Sequence, residues 1–237
     1  MREIRVWIHG LYGRMGNAIQ SSLEKAAGLP SSTPPLVFVG GSDRGTDSGV
    51  LFEGLKNADL ILDFSSKEGN AALVDLIRSR QLRSKSWLIG TTALSEDSLS
   101  FWKNESLSYQ FKTLMAPNTS VGIILMLKTL LFLTPRCAEG GFDVEMIETH
   151  RKGKMDAPSG TGLLLASAVH PYKPEAPIHS LRGGGVFGEH SVRFLAEHEE
   201  ICITHRAFSR ELFARGACVL GGWLLAKKEG FYTLQDL

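Results

Sequence analysis

The sequence predicts an α/β chain in two parts: a doubly wound, parallel-sheet domain, then an α+β domain built on a mixed sheet. Three observations carry this. A glycine-rich turn, G-x-x-G-x-x-G, lies between a strand-like and a helix-like run near the start. Apolar strand-like runs then recur at α/β spacing, each ending in small polar residues. Late in the chain, strand-like runs follow one another without helices between them, so the βαβ rhythm has stopped.

Residues 4–8 (I-R-V-W-I) read as the first strand. Gly10, Leu11, Tyr12, Gly13, Arg14, Met15 and Gly16 follow at once, then a helical pattern through Ala18, Ile19 and Leu23. Glycines placed there permit a tight turn, close approach of backbone to a pyrophosphate, and close packing of helix on strand; this makes the first part a Rossmann-type dinucleotide-binding domain. A second strand, residues 36–39, ends near Asp43, where a carboxylate would hold a ribose hydroxyl, while Arg44 beside it suits a 2′-phosphate. Asp43 argues for NADH and Arg44 for NADPH, and both stay open. Strands are predicted at residues 60–62, 87–89 and 111–115, with helices at 69–80 and 95–107. Ligands of such sheets lie over the carboxyl ends of the strands. Asp63-Phe64-Ser65, Gly90-Thr91-Thr92 and Ala116-Pro117-Asn118-Thr119 are therefore expected to line the cofactor crevice.

The 237 residues allow one large or two modest domains. With 26 basic against 25 acidic residues, nothing points to a nucleic-acid surface. The chain starts without a signal-peptide layout. The longest apolar stretch, residues 121–133, is interrupted by Lys128 and is expected to be a buried helix too short to cross a bilayer. Cys137, Cys202 and Cys218 are far apart and lack metal-ligand spacing, so they read as reduced thiols in a cytoplasmic protein with no metal.

In the second part, a helix over residues 120–133 leads to a strand at 142–148, which delivers the stretch expected to hold the chemistry, residues 148–162. His150, Arg151, Lys152 and Lys154 precede the small-residue turn Ser159-Gly160-Thr161, which runs into an apolar helical segment at 163–169. A helix starting there aims free N–H groups and its positive dipole end at an anion. Asp156, Ser159 and Thr161 are the side chains able to cap it, and Pro158 suits its entry. A solvated basic loop is the plainer reading of the same residues; the dinucleotide turn at the start of the chain favours a ligand bearing carboxylates or phosphates. After a proline-rich connection at 171–177 come strands at 191–195 and 200–205. His190 and His205 read as structural hydrogen-bonders, and His9, His170, His179 and His198 receive no role. An amphipathic helix over 209–226 is placed back against the first domain. The expected division is 1–119 completed by 211–237, and 120–210, with hinges near Thr119 and Ser209.

These residues resemble one family, the 4-hydroxy-tetrahydrodipicolinate reductases of lysine and diaminopimelate synthesis, also called dihydrodipicolinate reductases. Gly10 to Gly16 is similar to its G-x-x-G-R-M-G turn and Gly90-Thr91-Thr92 to its G-T-T turn. Ala116-Pro117-Asn118 with Ser120 and Gly122 follows A-P-N-x-S-x-G, and Glu148 through Thr161 follows E-x-H-H-x-x-K-x-D-A-P-S-G-T. The resemblance implies hydride transfer from NADH or NADPH to the ring of a small unsaturated dicarboxylate, with protonation. It implies that His150 and Lys154 serve the proton side and that Lys154, Gly160 and Thr161 hold a carboxylate; Ser159 in the same turn and Arg151, able to bind a carboxylate bidentately, are counted with them as substrate-binding residues. Hydride addition to a conjugated imine builds negative charge, which positioned cations and N–H donors stabilise, and histidine suits a general acid.

Three positions depart from the pattern. Arg151 stands where the family has a second histidine, Ala93 replaces a glycine, and the connection between His170 and His179 is short in a region that helps the family form a homotetramer. Two other readings use the same residues: a related dehydrogenase acting on another small acid, and a dinucleotide sensor without turnover. Retention of both His150 and Lys154 argues against the sensor.

Overall fold

A computed structural model describes residues 2–26 and 34–237. The chain divides into two compact units, residues 1–119 with 213–237, and residues 120–212.

Unit 1 is built on a six-stranded parallel sheet. Its strands are β1 (Ile4–His9), β2 (Leu36–Ser42), β3 (Leu60–Asp63), β4 (Ser86–Ile89), β5 (Lys112–Met115) and a last strand from the chain's end (Gly230–Thr233), in the order last, β5, β4, β3, β1, β2. Winding reverses at β1, the topological switch point of a Rossmann-like sheet. Helices α1 (Arg14–Ala26), α2 (Ser48–Asn57) and α3 (Lys67–Arg80) connect the first strands. Strands β3 and β4 are buried along their whole length, as expected where helices cover both faces. Trp87, Phe101, Trp102 and Phe111 fill the core, with Trp87 edge-on to Phe111 at 5.5 Å.

Four elements differ from the sequence expectation here. Helix α2 is absent from the sequence expectation, because its two glycines blur the apolar period; Asp47 caps it by accepting from Gly49 N and Val50 N. The helix expected over 95–107 is α4 (Glu96–Ser100) followed by a π-helical turn (Phe101–Glu105), which buries Phe101 and Trp102 together. The second strand runs three residues beyond 39. The strand at Gly230–Thr233 was not anticipated at all.

Unit 2 begins with α5 (Val121–Glu139), capped by Ser120. At 19 residues it passes Pro135, where the sequence suggested a stop; the carbonyl left without an amide partner belongs to Leu131, an exposed residue. By length and apolarity α5 therefore meets the requirement for a bilayer span, contrary to the expectation, yet Ile123, Ile124, Met126, Leu127, Leu130, Thr134 and Cys137 are buried in the unit. A four-stranded sheet follows: β6 (Asp143–His150), β7 (Ile178–Arg182), β8 (Gly188–Leu195) and β9 (Glu200–Ala207), in the order β7, β6, β8, β9. β7 is parallel to β6 and the others pair antiparallel, so the sheet is mixed. Between β6 and β7 lies α6 (Gly160–Ala166), three residues earlier than expected because Ser159 caps it. Helix α7 (Glu211–Leu225) joins unit 1 from Phe213 onward, where a Cβ on Gly221 would stand 2.6 Å from Leu60, so the helix lies hard against β3.

Candidate active site

In unit 1 the strand register brings the expected cofactor residues to one edge. His9, Asp63, Ile89 and Met115 are aligned across β1, β3, β4 and β5, and Ser42 of β2 is level with His9. Gly10, Gly90 and Ala116 each stand one residue past that line, so Gly10 through Met15, Asp43 and Arg44, Gly90 to Thr92 and Ala116 to Thr119 all leave the same side of the sheet. The turn is held from β2: Gly10 N and Leu11 N donate to Ser42 O at 2.8 and 3.0 Å, and Tyr12 N donates to Asp43 Oδ2 at 2.8 Å. The other Asp43 oxygen accepts from Arg44 N at 2.7 Å. Asp43 thus clamps the glycine turn as well as standing where a ribose would lie. Arg44 is exposed, and its charge together with that of Lys67 reaches the Glu68 carboxylate, which local backbone and Ser66 hydrogen bonds hold below the usual range.

Gly10 sits at φ +89°, and a Cβ there would stand 2.5 Å from Phe64 O. Gly10→Ala is therefore expected to cost at least about 1–2 kcal/mol from the left-handed backbone alone, and to displace the turn. Denaturant unfolding and an NADH titration check both parts; wild-type stability and affinity would contradict them.

Two polar groups lie beneath this edge: His9, given no role from the sequence, and Asp63, expected to line the crevice but in fact fully buried. Asp63 is fully buried and accepts from Ser65 N, Ser65 Oγ and Asn70 Nδ2, at 3.1, 2.6 and 2.6 Å, while Asn70 Oδ1 accepts from Trp102 Nε1 at 3.2 Å. His9 bridges Ser42 Oγ and Gly69 O at 2.8 and 3.2 Å. Both tie the loop after β3 to the sheet beneath the glycine turn.

In unit 2 the sheet register assembles a row of polar side chains. Ser180 of β7, Glu148 of β6, His190 of β8 and His205 of β9 are successive partners across the four strands, and Arg182 is level with His150. Glu148 and His150 are two apart on β6 and share a face. Glu148 is buried and accepts from Ser159 N at 3.0 Å, from Ser159 Oγ, from Ser180 Oγ at 2.9 Å and from Arg182 Nη2 at 2.8 Å. Burial alone would raise its pKa; the donors from Ser159, Arg182 and Ser180 outweigh that and hold it at about 2. His150 Nδ1 lies 3.9 Å and His190 Nε2 3.7 Å from Glu148 Oε2, and the two rings meet edge to face at 5.1 Å.

Burial lowers the His150 pKa below the ordinary histidine value; Lys154 and Arg182 add to that, while Glu148 and Asp156 oppose it. His190 is pushed down to about 4, by burial first and then by His150. Nδ1 of each ring is buried without a hydrogen-bond partner. Glu148, His150 and His190 offer three ligand atoms within 4.8 Å of one another, a spacing a metal ion could use. The Arg182 guanidinium on Glu148 opposes a cation there, and Ser159 and Ser180 occupy the same carboxylate, so the trio is better read as a hydrogen-bonded cluster.

Lys154 follows on the turn after β6, and its Nζ is 2.9 Å from the Asp156 carboxylate. Asp156 is thus the partner of Lys154 and not the helix cap; Ser159 caps α6, its Oγ accepting from Gly162 N at 3.0 Å. Gly160 and Thr161 form the first turn, where amides precede the intrahelical ladder. Arg151 is exposed, just past the end of β6. Glu148, Arg182 and His190 were the residues that the sequence left without a role. His190 followed a glycine-rich turn like any structural histidine, and Arg182 sat in what read as loop.

Residues 4–119 match the family model described as "Dihydrodipicolinate reductase, N-terminus", and residues 122–237 match "Dihydrodipicolinate reductase, C-terminus". A 4-hydroxy-tetrahydrodipicolinate reductase from Caldanaerobacter subterraneus subsp. tengcongensis is 34% identical, the alignment covering 99% of this chain and 98% of the relative. One of the same name from an Exiguobacterium species is 33% identical over 99% of this chain and 95% of its own. A solved dipicolinate-bound dihydrodipicolinate reductase from Paenisporosarcina sp. TG-14 superimposes with a TM-score of 0.75 over the whole of both chains at 21% identity, a likeness of fold. Both halves are matched in order and the relatives align from end to end, so the chain belongs to the dihydrodipicolinate reductase family.

Proposed function

We propose that this protein uses NADH or NADPH to reduce 4-hydroxy-tetrahydrodipicolinate, by way of dihydrodipicolinate, to tetrahydrodipicolinate, the step that its relatives' name describes. The observation that supports it most is the polar row Ser180, Glu148, His190, with Glu148 and His190 buried, which stands beside His150 and the turn Ser159-Gly160-Thr161 in a chain matched along its length by that family. A bound reduced nicotinamide supplies the hydride. The chain's residues do the rest. Lys154 and the amides of Gly160 and Thr161 hold a ring carboxylate, with Arg151 supplying a further cation at the rim. His150 gives a proton to the ring as hydride addition makes it electron-rich. His150 is shifted toward neutrality by its surroundings, and a doubly negative ligand acts the other way, favouring its charged form as the substrate arrives.

The cofactor residues are Gly10 to Met15, Asp43, Arg44, Gly90 to Thr92 and Ala116 to Thr119. A carboxylate at Asp43, at the end of β2, suits the ribose hydroxyl of NADH, and exposed Arg44 leaves NADPH usable, so dual use is proposed. The segments that link the two units, near Thr119 and Ser209, are proposed as hinges. A cytoplasmic homotetramer completes the reading, as the resemblance implies.

The test is a coupled assay that follows NADH and NADPH oxidation with enzymatically generated 4-hydroxy-tetrahydrodipicolinate. Oxidation that depends on that compound is expected with both nucleotides. Oxidation with neither, by protein that binds NADH, would leave the sensor reading in its place.

A further inference from the structure

Glu148 is the most heavily engaged carboxylate of unit 2 among the described residues, and a carboxylate so placed does more than fill space. It accepts the amide and hydroxyl of Ser159, the residue that caps α6 and opens the Ser159-Gly160-Thr161 turn. It is tied to β7 through Ser180 and Arg182, and Arg182 Nη2 also donates to Asp156 O at 2.5 Å, on the segment that carries Lys154. On its other side stand His150 and His190, each within 4 Å of Oε2. Four strand or turn segments thus meet on one side chain only 1% exposed.

We propose that Glu148 is the positioning residue of this site: one buried carboxylate sets the carboxylate-binding turn and stands beside His150, so that anion recognition and proton delivery share an anchor. It touches neither reacting atoms nor cofactor; it acts through Ser159 and His150. The proposal rests on the reductase reading only for its kinetic arm.

The charged and titratable groups facing His150 fix the signs. Glu148 on β6 and Asp156 on the following turn favour the imidazolium; Lys154 on that turn and Arg182 on β7 oppose it. His190 on β8 faces His150 and is itself faced by His205 on β9. Removing the Glu148 charge should make His150 harder to protonate, whereas removing the Arg182 charge should make it easier. It is the joint change of KM and of the His150 midpoint in a Glu148 variant that ties the turn to proton delivery; the Arg182 variant checks the sign of the local field.

Two variants test this, Glu148→Gln and Arg182→Gln, read by NMR titration of the His150 ring in the free protein and by the pH dependence of kcat. In Glu148→Gln the His150 midpoint should fall by about one pH unit, and in Arg182→Gln it should rise by less, since the guanidinium is the weaker influence on that ring. If His150 is the proton donor, activity is lost as it deprotonates, so the alkaline limb of kcat should move down in the first variant and up in the second. KM should rise in Glu148→Gln, because the turn loses its anchor. An unchanged His150 midpoint in folded Glu148→Gln, or shifts of the same sign in both variants, would overturn the proposal. If Glu148→Gln does not fold, Glu148→Asp, which keeps the charge on a shorter side chain, takes its place: a raised KM with a displaced His150 midpoint supports the proposal, and wild-type values of both overturn it. A wild-type protein without reductase activity would sink the reductase reading and leave the ring titration to decide this one.

Discussion

His150→Gln is expected to lower kcat by roughly two to four orders of magnitude, the usual worth of a positioned general acid, while NADH binding changes by no more than a few-fold. Glutamine is near histidine in bulk and keeps polar atoms beside Glu148, so the row on β6, β7 and β8 should persist. What it cannot do is release a proton. The glycine turn proposed to hold the dinucleotide belongs to unit 1 and is fixed there by Ser42 and Asp43, whereas His150 belongs to unit 2. Steady-state kinetics with a fluorescence titration of NADH measure both quantities. Turnover within a few-fold of wild type would remove His150 from the mechanism, and loss of NADH affinity of the same size as the loss of kcat would mean that the variant is misfolded.

Lys154→Ala should lose a charge-assisted contact worth about 1.5–3 kcal/mol, or roughly ten- to a hundred-fold in kcat/KM, mainly through KM. The structure adds a complication that the sequence did not reveal. Lys154 is paired with Asp156, so its removal also leaves a carboxylate uncompensated beside the turn meant to receive an anion. Lys154→Ala combined with Asp156→Asn separates the two effects: part of the loss should return in the double variant, and the part that stays reports the ammonium itself. Pyridine-2,6-dicarboxylate affinity, measured without turnover, should follow the same order. Equal KM and kcat in wild type and Lys154→Ala would end the carboxylate role of that residue.

The parallel sheet was legible because its signals are local. Glycines at positions 10, 13 and 16 stand between an apolar run and a helical pattern, and the short apolar runs 60–62 and 87–89 mark β3 and β4. Helix α2 was hidden by Gly49 and Gly54, which weaken the helical signal. β7 was hidden because a five-residue edge strand between Pro177 and Gly183 resembles a loop in everything but its pairing. At the site, the H-x-x-x-K spacing and the small-residue turn could be read directly. The hub could not: Ser180 and Arg182 lie 32 and 34 residues beyond Glu148, and only the register of β6 on β7 and β8 reveals that they meet. Long-range pairing is the information that a one-dimensional pattern lacks.

Helix α7 and the final strand, Gly230–Thr233, have a consequence for biosynthesis. They finish a sheet whose other five strands are complete by Met115, so during translation β5 emerges with one edge bare and waits for more than a hundred further residues. An unpaired strand edge is an invitation to mispairing, and its exposure lasts as long as the ribosome takes to make the intervening unit. Strand Gly230–Thr233 is thus a closing clasp for a sheet begun far earlier, and a nascent chain stalled within unit 2 would be adhesive however well its first hundred residues had begun to fold.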